Sequence, residues 1–129
     1  MIYWSYMLLI VLLIPAIMFI MGCVFRKHPP KDVNGLYGYR SGRSMKNQDS
    51  WDFAHRYVGK IWQRWGMILL PLSVIPMLFF LGASAGAIGI VVTVEILAQM
   101  FPLFFSIYLT EKALKKKFNE DGTPREETA

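Results

Sequence analysis

Three nearly continuous apolar runs, over residues 3–25, 61–81 and 87–109, leave this chain of 129 residues few ways to fold. Each is about as long as the ~20 residues a helix needs to cross ~30 Å of hydrocarbon at 1.5 Å per residue. Lipid offers no water to backbone N–H and C=O groups, so a spanning run must be a helix that satisfies its own backbone. The charges collect in 26–60 and 110–129. With 54% of all residues hydrophobic, three crossings consume most of the apolar material. No sizeable water-soluble core can be built from the rest. The expected fold is all-α: an integral membrane three-helix bundle forming one domain, with crossings at 3–25, 61–81 and 87–109, a loop at 26–60 and a tail at 110–129.

The first run contains Ile20-Met21-Gly22-Cys23, which resembles a lipoprotein cleavage box, but no Lys or Arg precedes Arg26 to form a basic leader region. It is expected to stay as a membrane span. A single cysteine, Cys23, gives neither a disulfide nor a thiolate cluster. His28 and His55 lack the spacing of a zinc site, so no metal and no cofactor are expected.

Basic residues near the membrane ends set orientation. Segment 26–60 holds Arg26, Lys27, Lys31, Arg40, Arg43, Lys46, Arg56 and Lys60, and the tail holds Lys112, Lys115, Lys116, Lys117 and Arg125. The N-terminus and the 82–86 turn hold none. Both basic segments are therefore expected in the cytoplasm, with the N-terminus outside. Tyr3, Trp4 and Tyr6 at one end and Trp62, Trp65 and Tyr108 at the other fit aromatic belts. The net charge of +5 then answers anionic membrane lipid and not nucleic acid.

Within 26–60, Pro29-Pro30 and Asn34-Gly35 mark turns. A helix is expected from an N-cap at Asp49 or Ser50. Trp51, Ala54, Val58, Ile61, Trp62 and Trp65 fall on one stripe of it, opposite Asp52, Arg56, Lys60 and Gln63, which describes an amphipathic interfacial helix leading into the second crossing. Pro71 and Pro76 predict kinks in that crossing. The Gly82–Gly86 segment then turns the chain back, and its small residues offer a place for helices or a second copy to approach.

The third crossing carries Glu95 and Gln99. Its Leu, Ile, Val and Phe residues, at roughly −0.3 to −0.6 kcal/mol each, outweigh the roughly +3 kcal/mol of one central acidic group. Glu95, Gln99, Pro102, Ser106 and Thr110 share one stripe, which is expected to face the bundle or a wet cleft.

The run Asn34-Gly35-Leu36-Tyr37-Gly38-Tyr39-Arg40-Ser41-Gly42-Arg43-Ser44-Met45-Lys46-Asn47, followed by Trp51, Ala54-His55-Arg56 and Gly59-Lys60, resembles the signature of the SdpI family. That signature is an N-x-x-x-G-[IY]-R-[TS] stretch, a downstream Trp and an [HN]-R-x-x-G-[KR] element entering the next helix. The Thr110-Glu111-Lys112-Ala113-Leu114-Lys115-Lys116 tail is similar to the short YfhL-type members. The resemblance implies a multi-spanning protein of the bacterial plasma membrane, immunity to a secreted antimicrobial peptide or toxin, and recruitment of a cytoplasmic transcriptional repressor to the membrane. The residues it marks for recognition of a partner, a toxin or lipid headgroups are Asn34, Tyr37, Gly38, Tyr39, Arg40, Ser41, Arg43, Asn47, Trp51, His55 and Arg56. Gly38 and Gly42 allow close backbone approach, and Arg40 and Arg43 can clamp a carboxylate or phosphate.

Two other classes compete with this one. A small proton-coupled carrier would titrate Glu95 and need a homo-oligomer to enclose a path. A membrane enzyme acting on lipid or peptide would have only His55 and Asp52 as a pair, without a recognisable catalytic spacing, so no catalytic residue is assigned. The orientation is tested first. In a Cys23→Ser background, a cysteine at Ser84 should label with an impermeant thiol reagent on intact cells and one at Ser44 should not. The reverse pattern would overturn the orientation.

Overall fold

The structure is a computed structural model describing residues 1–125. It holds three helices, α1 (Ile2–Lys27), α2 (Gln48–Leu78) and α3 (Ala85–Lys117). Each is long and apolar enough to cross a membrane. Among the described residues the only extended pairing is a single antiparallel bridge between Phe118 and Pro124.

The helices outrun the apolar segments that announce them. The 31 residues of α2 and 33 of α3 rise about 46 and 50 Å at 1.5 Å per residue, beyond the ~30 Å of hydrocarbon. The surplus turns carry Asp49, Asp52, Arg56 and Lys60 on α2 and Lys112 and Lys115 to Lys117 on α3, beside Arg26 and Lys27 of α1. They form a basic end that stands clear of the apolar slab. At the other end residues 79–84 make the turn, in which Gly82 takes φ +78. Ser84 then caps α3 by accepting from the Ala87 N–H at 3.2 Å.

α2 begins earlier than Asp49 or Ser50. Asn47 is its N-cap, accepting from the Ser50 N–H at 2.8 Å while Ser50 Oγ accepts from the Asn47 N–H at 3.2 Å. This reciprocal pair satisfies two backbone donors at once. The amphipathic helix is thus the first part of α2 and runs unbroken into the crossing. The first half of its apolar stripe is covered by protein, with Trp51, Ala54 and Val58 fully buried, and Ile61, Trp62 and Trp65 are half-buried. α2 continues through Pro71 and Pro76.

α1 and α2 pack through glycines. A Cβ built on Gly66 would stand 2.6 Å from the Phe19 backbone N, and one on Gly59 3.1 Å from the Gly22 carbonyl O. One on Gly22 would collide with the Gln63 backbone. Lipid tails are as apolar as leucine, so such close van der Waals approach is what holds helices together in a bilayer. Outward-facing positions are apolar instead, with Leu9, Leu13 and Ile17 of α1 and Val94, Leu97 and Phe101 of α3 all exposed.

The two halves of the bundle have separate cores. Phe25, Tyr39, Ala54, Val58, Leu114 and Phe118 cluster at the basic end. Val11, Met77, Ile88 and Val92 cluster toward the other. There Trp4 Nε1 donates to the Met77 carbonyl at 2.8 Å, serving one of the last carbonyls of α2.

The glycine seam yields an expected outcome. Gly66→Val should destabilise the folded protein by at least about 1–3 kcal/mol through overpacking against backbone. Gly86→Val, with nothing within 4 Å of its Cβ, should be near neutral. Denaturant unfolding in mixed micelles measures both, and equal stability of the two variants would remove the seam as the main α1–α2 contact.

Candidate functional site

The segment between α1 and α2 folds back over the basic end as a cap. Asn34 Oδ1 accepts from the N–H groups of Leu36 at 2.9 Å and Tyr37 at 2.8 Å, closing a local turn. Gly38, at φ +116, then redirects the chain into the bundle. A Cβ there would meet His55 Nε2 at 2.6 Å and Trp51 Cη2 at 3.2 Å, so only glycine fits.

His55 is the centre of this cap and is fully buried. Its Nε2 accepts from the Tyr39 N–H at 2.8 Å, which places the ring proton on Nδ1, 2.8 Å from the Trp51 carbonyl. Both nitrogens are therefore engaged and the imidazole is neutral. The Trp51 ring lies 4.4 Å from it and the Phe25 ring meets it edge-on at 4.9 Å. Burial pushes its pKa below the ordinary histidine value, partly offset by the Trp51 carbonyl and by Asp52.

The network reaches outward in both directions. Trp51 Nε1 donates to the Pro30 carbonyl at 2.8 Å, and the Tyr39 hydroxyl donates to Glu111 of α3 at 2.6 Å. Burial and that carboxylate both hold the Tyr39 hydroxyl in its protonated form. Ser44 Oγ donates to the Tyr39 carbonyl at 2.9 Å, and Ser50 Oγ donates to the Ser44 carbonyl at 3.0 Å. Asn47 Nδ2 donates to the Gly122 carbonyl, tying the start of α2 to the tail.

The structure thus brings Gly38, Tyr39, Trp51 and His55 into one packed unit, with Asn34, Ser41 and Asn47 framing it. Arg40 and Arg56 face outward. Arg40 Nη1 holds the Gly35 carbonyl, and beside it Leu36 is 91% exposed and Tyr37 is exposed. Arg43 lies apart from this tip, in a groove with Lys46, Glu111 and Glu120. Arg56 joins Arg26, Lys27 and Lys31 around a depression of about 480 Å³. Ser44 is fully buried, so the exposed Met45 is the better place for a labelling cysteine.

Deep in the bundle, Gln99 Nε2 donates to the Val11 carbonyl at 2.9 Å and to Ser73 Oγ at 2.7 Å. Val11 is four residues before Pro15, which has no N–H to give it, so Gln99 of α3 replaces the missing helix bond of α1. Ser106 accepts from Trp62 Nε1 at 2.8 Å. Gln99, Pro102, Ser106 and Thr110 are buried, while Glu95 is half-buried.

Several of these parts escape a reading of the sequence alone. Glu111, Ser44, Gly22 and Gly66 carry no local mark of what they touch. Two did leave signals: Pro15 in mid-span announces an orphaned carbonyl at Val11, and Asn47-x-x-Ser50 has capping spacing.

Three membrane-length helices closed at one end by a buried polar cap define a small integral membrane α-bundle. The chain belongs to the SdpI/YfhL protein family, whose model matches residues 31–106 and so takes in the cap, α2 and most of α3. It is also 32% identical over 110 residues to the uncharacterized protein YfhL of Bacillus subtilis (strain 168), covering 85% of this chain and 90% of that one. No solved structure matches it.

His55 makes the cap sensitive to acid. Because its folded pKa lies below the unfolded value of 6.5, its contribution to cap stability is complete above 6.5 and is lost as pH falls toward the folded pKa. Hydrogen exchange at the Tyr39 amide, corrected for intrinsic rate, should be slow at neutral pH and accelerate below about 6.5. In Gly38→Ala it should be fast at every pH. Protection that stays flat down to about pH 5 would remove His55 as the holder of the cap.

Proposed function

We propose that this protein shields the cell that makes it from a secreted, membrane-active antimicrobial peptide. The basic end faces the cytoplasm, and its cap recruits a cytoplasmic repressor when the peptide is present. The observation that carries this reading is that the family's signature stretch is not a slack connector. It is held by a buried histidine, a glycine at positive φ and bonds to two other segments, and it presents Arg40, Leu36 and Tyr37 outward. A chain that only had to join two helices would need none of this. The basic count at 26–60 and 110–125 supports the cytoplasmic side.

Arg40 is the best candidate for contact with a partner. One nitrogen of its guanidinium steadies the loop at Gly35, and the rest of the fork makes no hydrogen bond among the described residues. A planar fork presented this way suits a carboxylate or phosphate. The carrier reading draws on Glu95, whose Oε2 is buried without a partner. It would show as proton flux in liposomes that vanishes in Glu95→Gln. The enzyme reading needs a free nitrogen on His55, and both are engaged.

Arg40→Lys keeps the charge and loses the planar fork. Arg40→Lys and Gly38→Val should leave membrane abundance near that of the wild type yet abolish protection, whereas Lys31→Ala should do neither. Survival of peptide-treated cells, read beside expression level, decides it. Should Arg40→Lys protect as well as wild type, the cap acts only as a basic anchor.

A further inference from the structure

Between α2 and α3, inside the apolar slab, lies a cleft of about 270 Å³. Trp65, Leu69, Leu72 and Ala98 wall it, and Ser73, Glu95 and Gln99 supply its polar groups. Leu72 and Ala98 are exposed on the lipid-facing surface, so the cleft opens sideways.

Ser73 Oγ is served by Gln99, but two carbonyl-type oxygens at the cleft lack a donor. Gln99 is 3% exposed, and its Oε1 has no partner, nor has Oε2 of Glu95. The Gln99 amide cannot be turned round to relieve this, because its nitrogen faces the Val11 carbonyl, which only accepts. Pro76 and Pro102 likewise have no N–H for the carbonyls four residues before them, Leu72 and Ala98, both at this cleft. No lysine, arginine or histidine lines it.

We infer that this cleft binds an amphiphile bearing an ammonium group with N–H donors. The donors would come to Glu95 and Gln99 in charge-assisted bonds, and the positive charge would balance Glu95. Trp65 offers its ring to the cation, and the leucines take the apolar portion. One water takes up ~30 Å³ of liquid, and a largely apolar cleft does not fill with water, so the volume calls for a ligand with a hydrocarbon part. The site is separate from the cap and does not depend on the immunity reading.

Calorimetry on the full chain in phosphatidylcholine nanodiscs, with empty nanodiscs subtracted, tests this. Tetradecylamine should bind saturably and raise the melting temperature. Tetradecyltrimethylammonium, which has the charge but no N–H, and tetradecanol, which has a donor but no charge, should each bind at least about tenfold more weakly. Glu95→Gln should weaken the amine by at least about tenfold, and Ala98→Phe, which blocks the mouth from an exposed position, should abolish it. If Glu95→Gln fails to fold, Ala98→Phe decides. Equal binding of the three amphiphiles, or amine binding untouched by Ala98→Phe, overturns the proposal. So does the absence of saturable binding.

Discussion

The close approach of α1 and α2 is the constraint on which the rest of the structure depends. Without side chains at Gly22, Gly59 and Gly66 the two backbones come within van der Waals distance, and everything else is placed relative to that seam. It fixes Phe25 against His55 at one end and Trp4 against the end of α2 at the other. α3 joins this pair through Ile88, Val92 and Leu114 in the two cores and through polar bonds in a medium without water. Gln99 supplies the donor that Pro15 denies Val11, and Trp62 finds Ser106. Each such bond has no solvent competitor, so each fixes the register of α3 on the other two helices.

The same logic governs the basic end. There the chain leaves the apolar slab and must cover the exposed ends of three helices with a short, polar stretch. It does so by burying one neutral imidazole whose two nitrogens point one way each, to Tyr39 and to Trp51. A lysine or arginine in that position would bring an unpaired charge; a leucine would leave the Tyr39 N–H without an acceptor. The result is a surface that keeps its charged and apolar tip residues turned outward.

Much of this was legible in the residues. Three apolar runs gave three helices, because length and hydropathy in a bilayer leave no competing element. Glu95 and Gln99 stood out because polar groups are costly there. The family signature, from Asn34 to Lys60, coincides with the cap and the start of α2. What could not be read was where partners lie across the fold. The bond from Tyr39 to Glu111 spans 72 residues, and nothing near either one announces it. α2 starts from Asn47 and not from Asp49 or Ser50, which are ordinary caps, and Asn47 also gains a tertiary tie to Gly122. The stripe from Trp51 to Trp65 is readable as apolar, but periodicity does not show that protein covers its first half, at Trp51, Ala54 and Val58.

The tie between Asn47 and Gly122 also has a bearing on the order of assembly. The cap between the first two crossings is anchored at Glu111 and Gly122, both of which follow the third crossing in the chain. During synthesis α1 and α2 can be inserted and can meet along their glycines while those anchors are still inside the ribosome. The cap reaches its final form only after α3 has entered the bilayer and the chain beyond it has returned to the basic end. A molecule interrupted after two crossings would thus be lodged in the membrane but would lack the finished outward surface, which makes completion of that surface a report that all three crossings are in place.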